Sequence, residues 1–172
     1  MSIKDLAERL GPLDEMRNTP AARSFTLGVW RALRNQGQPL DQQTLDQLAS
    51  DAGLTHQQAN AITARYAELN QAGQLIGLSG LSIADHPHRI TFEDRTLTSW
   101  CAWDPFFLVP ALGGSATVTS TDPQTGAAIH LTFQSDRVTA ASPPATVISI
   151  VVPPPRDDGA AEASVEELWA SF

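Results

Sequence analysis

The spacing of apolar residues changes once along this chain, and that change most constrains the fold. Up to about residue 80, apolar residues recur every three or four positions, which predicts amphipathic helices. From residue 88 onward they alternate with polar residues, which predicts β-strands. We therefore expect an α+β fold, with a helical, winged-helix-like N-terminal part packed on a C-terminal part of antiparallel or mixed strands and short helices.

Start and stop signals delimit the first two helices. Thr19-Pro20 is a cap followed by a proline in the first helical position, and Gly37 ends that helix. Asp41 caps the second helix, which Gly53 ends. The first helix should bury a stripe of four residues: Ala22, Phe25, Val29 and Leu33.

A third helix is predicted from His56 to Gln71, because Thr55 and Gln58 form a capping box. With the preceding helices it resembles a helix-turn-helix, for which residues 75–92 would supply the hairpin, or wing. The third helix has one arginine, Arg65, so it should bind phosphate weakly and serve as a structural module. Its buried stripe should comprise Ala59, Ile62, Tyr66 and Leu69.

The second half should be a sheet. Period-two alternation predicts strands around residues 90–92, 117–121, 129–133 and 147–152, and Asp122–Gly126 has the residues of a hairpin loop. A short helix is expected over residues 161–170. We divide the chain into a helix-turn-helix-like N-terminal domain, residues 1–80, and a β-rich domain, residues 81–172.

Charge and composition narrow the function classes. The net charge is −8, and residues 81–172 hold four Lys/Arg against eleven Asp/Glu, so a general affinity for nucleic acid is not expected. No apolar run approaches the roughly 18 residues of a membrane helix, and the start lacks the profile of a signal peptide. One cysteine cannot form an internal disulfide. We expect a cytoplasmic protein.

The single cysteine lies in the run Ser99-Trp100-Cys101-Ala102-Trp103-Asp104. A thiol and a carboxylate three residues apart share one face of a helical turn, so Cys101 could be a nucleophile or soft metal ligand beside Asp104 as a proton donor or acceptor. Two alternatives stay open: Cys101 as a small buried hydrophobe, and Asp104 as a helix cap before Pro105. His86 and His88 suggest a solvated turn rather than a metal site.

From Gly73 to about residue 153 the sequence resembles the organomercurial (alkylmercury) lyases. The matching segments, in order and at compatible spacing, are Ile76-Gly77-Leu78-Ser79-Gly80-Leu81-Ser82, Trp100-Cys101-Ala102-Trp103-Asp104, Pro110-Ala111-Leu112-Gly113-Gly114, Thr125-Gly126 and Val147-Ile148-Ser149-Ile150-Val151-Val152-Pro153. The resemblance makes residues 81–172 an alkylmercury-lyase-like domain.

The resemblance implies protonolysis of carbon–mercury bonds, which releases a hydrocarbon and Hg²⁺. It assigns mercury binding to Cys101 and the catalytic acid to Asp104, which would also bind mercury more weakly. Thiolate is the natural ligand of a soft cation, and a carboxylic acid can protonate the developing carbanion. Trp100 and Trp103 would be the pocket walls that exclude water. No organic cofactor is implied, and Hg²⁺ is the product and ligand.

The family's second cysteine, downstream of the last strand, has no counterpart in these 172 residues. We expect that the chain stops short of it, in preference to a natural lack, and that cleavage is impaired without it. Cellular thiols, or mercuric reductase, would accept the Hg²⁺. Two rival functions remain: a non-catalytic protein of the same fold that sequesters or senses a thiophilic metal, and a winged-helix metal-responsive regulator.

Overall fold

Three capped helices lead the part of the chain that the computed structural model describes, residues 19–148. The side chains of Thr19 and Asp41 accept hydrogen bonds from backbone N–H groups in the first turns that follow, and Thr55 forms the predicted capping box with Gln58. The helices are α1 (Pro20–Gln36), α2 (Gln42–Asp51) and α3 (His56–Tyr66).

The predicted helix boundaries hold for α1 and α2. Gly37 adopts a left-handed conformation directly after α1, and its N–H donates to the carbonyl of Leu33. Gly53, also at positive φ, stands just beyond the cap of α2. The predicted stripe of α1 is buried throughout: Ala22, Phe25, Val29 and Leu33.

The third helix is shorter than predicted. α3 ends at Tyr66, and Ala67 is already extended. Leu69, which we expected on the buried stripe, lies in a strand and is 55% exposed. The side chain of Asn70 accepts hydrogen bonds from the N–H groups of Ala72 and Gln74, which closes a hairpin loop. Pairing with the next strand therefore replaces the last predicted turns of helix.

An antiparallel sheet of eight strands and one more helix follow. The sheet order is β1-β2-β3-β5-β4-β6-β7-β8. The elements are β1 (Ala67–Leu69), β2 (Leu75–Leu78), β3 (Leu81–Ser82), β4 (His88–Phe92), β5 (Thr96–Ser99), α4 (Pro105–Leu112), β6 (Ser115–Thr121), β7 (Ala128–Gln134) and β8 (Arg137–Ser142). The α+β class is confirmed.

The predicted wing differs in its pairing. We expected the stretch from residues 75–78 to 89–92 to supply one hairpin, but β2 pairs with β1 and β3, while β4 pairs with β5 and β6. The alternation around Ile90 and the hairpin loop at Asp122–Gly126 are confirmed. A bridge between Leu40 and Leu75 ties the helices to the sheet.

Two hydrophobic clusters stabilise the described chain. One joins the three N-terminal helices to β2, and the other joins β3–β7 to α4 and to Trp30 of α1. Ile83 packs against both clusters. The sheet continues from β2 into β3 across residue 80. The division into domains at that residue, and the winged-helix shape of the first, stay predictions.

Some expectations lie outside the described residues, namely most of the predicted strand at 147–152 and the helix at 161–170. Among residues 19–148, no helix has both the length and the apolar character needed to cross a bilayer.

Candidate active site

Cys101 and Asp104 lie in one tight turn between the end of β5 and the start of α4. The backbone N–H of Cys101 donates to Oδ2 of Asp104 at 2.8 Å, and the N–H of Asp104 donates to the carbonyl of Cys101 at 3.3 Å. The hydroxyl of Ser99 also donates to that carbonyl, at 3.2 Å. The turn therefore places the thiol and the carboxylate together, as the three-residue spacing predicts.

Asp104 is not a side-chain cap for α4. Its backbone is helical, with φ −54° and ψ −41°, and its carboxylate makes no capping hydrogen bond. A residue before proline usually avoids this conformation. The carboxylate instead turns back to Cys101, and the residue is only 8% exposed. The capping alternative is wrong, because the side chain serves the preceding turn rather than the following helix.

The tight turn between β2 and β3 makes room for that carboxylate. Ser79 and Gly80 link Leu78 to Leu81 with φ of 48° and 97°, as in the two-residue hairpin turns that need positive φ at both positions. A Cβ on Gly80 would lie 2.8 Å from Cγ of Asp104. Glycine is therefore required here by backbone conformation and by the close approach of Asp104.

The Cys101 thiol is held in its protonated form. Burial raises its pKa from 9.0 to about 12, and the negative charge and hydrogen bonding of Asp104 add to the rise. Hydrogen bonds from the backbone at Trp103 and Asp104 act in the opposite direction. The half-buried sulfur is therefore a thiol at neutral pH, beside a carboxylate that can take its proton when a metal binds.

The two tryptophans differ in environment. Trp100 is partly buried, and its indole N–H donates to Oε2 of Glu68 at 3.0 Å. Trp103 is 45% exposed and stacks on Phe106, with ring centroids 5.7 Å apart. Phe106 in turn contacts the buried Phe133 edge-on. Both tryptophans flank Cys101 in sequence, and their role as pocket walls stays a prediction.

The histidines do not form a solvated turn, so that expectation is wrong. His86 and His88 are both partly buried; His86 contacts Glu68 at 2.9 Å, and His88 contacts the hydroxyl of Ser120 at 2.8 Å. Within residues 19–148, no group of three or more His, Cys, Asp or Glu side chains is placed to hold a metal ion.

Sequence reasoning missed Glu68 and Gly80. Glu68 has no signal of its own in the sequence, and only its place on β1 brings it beside Trp100. Gly80 belongs to a Gly-x-x-Gly stretch among apolar residues, a pattern that marks a tight turn or a close backbone approach. That pattern could have identified Gly80 but not its neighbour Asp104.

Comparison with known proteins finds alkylmercury lyases. The family model for alkylmercury lyase, MerB, matches residues 81–165. An alkylmercury lyase from Streptomyces lividans is 33% identical over 138 residues, which cover 77% of this chain and 62% of that protein. One from Staphylococcus epidermidis is 29% identical over 108 residues, covering 62% of this chain and 50% of the relative.

The fold also has a solved counterpart. The crystal structure of the mercury-bound form of MerB2 matches with a TM-score of 0.59 and 22% identity, covering 81% of this chain and 66% of that one. The chain spans between half and two thirds of the length of the two curated relatives named above. These matches show that the chain is similar to alkylmercury lyases, in the family model over residues 81–165 and in the curated relatives over a longer stretch.

Proposed function

We propose that the chain cleaves carbon–mercury bonds by protonolysis, as an organomercurial lyase. The observation that carries the proposal is the turn in which the Asp104 carboxylate contacts the backbone of Cys101, beside a thiol whose pKa is raised by burial and by the charge of Asp104. A soft thiol and a proton carrier are the two groups that this reaction needs.

The first step is capture of the organomercurial R–Hg⁺. The Cys101 sulfur bonds to mercury, and the thiol proton passes to the neighbouring Asp104 carboxylate. A thiolate beside an ionised carboxylate would be repelled by it. In this step the repulsion is avoided, because the positive metal neutralises the charge on sulfur and the proton neutralises the carboxylate. The products are a Cys101–S–Hg–R adduct and a protonated Asp104.

The second step returns that proton to carbon. Asp104 protonates the carbon of R as the carbon–mercury bond breaks, which releases the hydrocarbon RH and leaves Hg²⁺ on Cys101 with an ionised Asp104. The low exposure of Asp104 favours this transfer, because few water molecules compete for the proton. Trp100 and Trp103 are proposed walls of the same site.

Release of Hg²⁺ calls for other thiols. We assign the second sulfur ligand to a cellular thiol, which would weaken the mercury–carbon bond before cleavage and then remove Hg²⁺. Mercuric reductase is the proposed final acceptor, the cytoplasm is the proposed compartment, and no organic cofactor takes part. The regions 1–80 and 81–172 are proposed as the helix-turn-helix-like and the lyase-like domains.

The test is hydrocarbon release from an organomercurial in the presence of excess small thiol. Gas chromatography should detect benzene from phenylmercury with the wild-type chain and none above background with Cys101→Ser. Serine removes the soft ligand and keeps the size of the side chain. Stoichiometric mercury binding without any release of the organic group would contradict the lyase proposal.

A further inference from the structure

A second polar cluster, centred on Glu68, lies beside the candidate active site, and neither Glu68 nor His86 takes part in the proposed reaction. Oε2 of Glu68, on β1, accepts hydrogen bonds from Nε2 of His86 at 2.9 Å and from the indole N–H of Trp100 at 3.0 Å. The side chains of Glu68 and His86 are 22% and 23% exposed. A partly buried carboxylate loses some of its hydration, and hydrogen-bond donors compensate its oxygens for that loss.

The donors around Glu68 keep it ionised. Burial acts to raise its pKa, but hydrogen bonds from Ser82, His86 and Trp100 and the charge of His86 hold the pKa below its ordinary value. An ionised carboxylate only accepts hydrogen bonds, so it can hold the indole N–H and His86 at the same time. Charge-assisted hydrogen bonds of this kind are stronger than neutral ones.

A glycine in the neighbouring strand β2 leaves space for the Glu68 side chain. A Cβ on Gly77 of β2 would lie 2.9 Å from Oε2 of Glu68 and 2.8 Å from the carbonyl of Leu81. Gly77 pairs directly with Glu68 in the sheet. Only a glycine leaves room for the carboxylate to lie across β2 and reach Trp100.

Trp100 connects this cluster to the reactive turn. Its backbone N–H donates to the carbonyl of Gly80 at 3.0 Å, and its indole is held by Glu68. Gly80 is the residue whose missing Cβ accommodates the Asp104 carboxylate. β5 ends at Ser99, so Cys101 lies beyond the strand and depends on such contacts for its position.

We propose that Glu68 is a positioning residue, which fixes the turn of Cys101 and Asp104 by holding the indole N–H of Trp100. The catalytic part of this inference rests on the proposed lyase function. Displacement of a reacting group by about 1 Å can lower a rate by about 100-fold, so an anchor on β1, separated from β5 by two strands, can control the chemistry.

The experiment compares Glu68→Ala with Glu68→Gln in ¹⁵N-labelled protein. The Trp100→Phe variant identifies the Trp100 indole resonance by its loss. In Glu68→Ala that resonance should move to the position of a free indole, whereas the Trp30 resonance, bonded to the Leu78 carbonyl at 2.7 Å, should stay in place and report an intact fold. In Glu68→Gln the amide oxygen can still accept from the indole, so the resonance should remain near its wild-type position.

Two reactivity measurements complete the design. Alkylation of Cys101 by iodoacetamide should become about tenfold faster in Glu68→Ala, and hydrocarbon release should fall by about 10- to 100-fold, because the turn is no longer fixed. In Glu68→Gln, the alkylation rate and the rate of hydrocarbon release should both stay close to their wild-type values. The double variant Glu68→Ala/Trp100→Phe should change the two rates no more than the more affected single variant does, because each substitution removes the same hydrogen bond.

Asp46→Ala is the matched control. It removes an exposed carboxylate that contacts His56 at 2.8 Å in the helical region, and it should change neither the Trp100 resonance nor Cys101 alkylation. The inference is overturned if the Trp100 resonance is unmoved in Glu68→Ala, or if it moves while alkylation stays at the wild-type rate. If Glu68→Ala does not fold, Trp100→Phe provides the alkylation measurement, and a wild-type rate there overturns the inference as well.

The two proposals fail separately. If the wild-type chain releases no hydrocarbon, the lyase function fails, while the indole resonance and Cys101 alkylation still decide whether Glu68 positions the turn. If hydrocarbon is released at the same rate by wild type and Glu68→Ala, the lyase function stands and the role of Glu68 is refuted.

Discussion

The three N-terminal helices and the turn of Cys101 and Asp104 are specified in different ways. In the helices, the caps and the buried stripes follow from residues close in sequence, such as the capping box of Thr55 and the fully buried stripe that contains Leu33. The turn depends on distant groups, since Glu68 lies 32 positions from Trp100 and Gly80 belongs to another pair of strands. The helix boundaries and buried stripes thus follow from local signals, whereas the site geometry depends on a few long-range polar contacts.

The largest effect is expected in the turn of Cys101 and Asp104, where Asp104→Asn should lower hydrocarbon release. The amide cannot supply the proton, so hydrocarbon release should fall by about 100-fold or more while mercury uptake persists. Burial of the thiol remains but the negative charge beside it is removed, so the pKa of Cys101 should drop from about 12 toward its ordinary 9.0. The pH dependence of iodoacetamide alkylation measures that shift, and its midpoint should move to lower pH.

The control for this variant is Asp94→Asn. Asp94 is an exposed carboxylate bonded to Arg34 at 2.8 Å, and it lies in the loop between β4 and β5 rather than in the turn. It should leave both the alkylation midpoint and hydrocarbon release at their wild-type values. Unchanged turnover in Asp104→Asn would remove the acid role from that residue.

Leu33→Ala tests how much the buried stripe of α1 contributes to the free energy of unfolding. Leu33 is fully buried on α1, and its truncation should lower the free energy of unfolding by about 3 kcal/mol. Urea denaturation monitored by circular dichroism measures the loss. In the folded state, Cys101 should be alkylated at the wild-type rate, because α1 contributes stability rather than site geometry.

Leu69→Ala is the matched control, since the same atoms are removed from a side chain that is 55% exposed. Its free energy of unfolding should stay within about 0.5 kcal/mol of wild type. A changed rate of Cys101 alkylation in native Leu33→Ala would mean that the two regions are coupled, and the comparison would not hold.

The same contrast explains how much could be predicted from sequence. Caps, stripes and alternation are local signals, so α1, α2 and the strands around Ile90 and Phe133 could be anticipated. The three-residue spacing of Cys101 and Asp104 likewise predicted their shared turn. The helix α3 was predicted to be too long. The reason is that the pairing of β1 with β2, a contact between separate strands, overrides the helical periodicity at Leu69.

The rest of the site could not be read from sequence for the same reason. The capping role considered for Asp104 is a local interpretation, and it fails because Gly80, 24 positions earlier, leaves room for the carboxylate to face Cys101. Glu68 and His86 carry no local signature of a shared cluster. Only the register of β1 and β2 brings Glu68 to Trp100.

Gly80→Ala sharpens the comparison at the turn between β2 and β3. Alanine is disfavoured at φ 97°, and its Cβ would press on the Asp104 carboxylate, so we expect a loss of about 2 kcal/mol in the free energy of unfolding. Displacement of Asp104 should also change the rate of Cys101 alkylation. Chemical denaturation and iodoacetamide kinetics measure the two effects.

Gly73→Ala is a control that separates the strain of alanine at positive φ from the contact of a Cβ with a neighbouring side chain. Gly73 has φ 75°, but a Cβ there would meet nothing within 4 Å. We expect a loss of about 1 kcal/mol and no change in Cys101 alkylation. If Gly80→Ala behaved like Gly73→Ala in both measurements, the contact between Gly80 and Asp104 would have no role in the site.

The smallest effect is expected from Thr55→Ala, at the start of α3. The substitution removes the acceptor of the Gln58 N–H and one half of the capping box, which should lower the free energy of unfolding by about 1 kcal/mol. Thr55→Ser keeps the hydroxyl and should recover most of that loss. Hydrocarbon release per folded molecule should be unchanged in both variants, because α3 ends at Tyr66, before the strand that carries Glu68. A loss of turnover in Thr55→Ala without a loss of stability would place α3 within the network that positions Trp100.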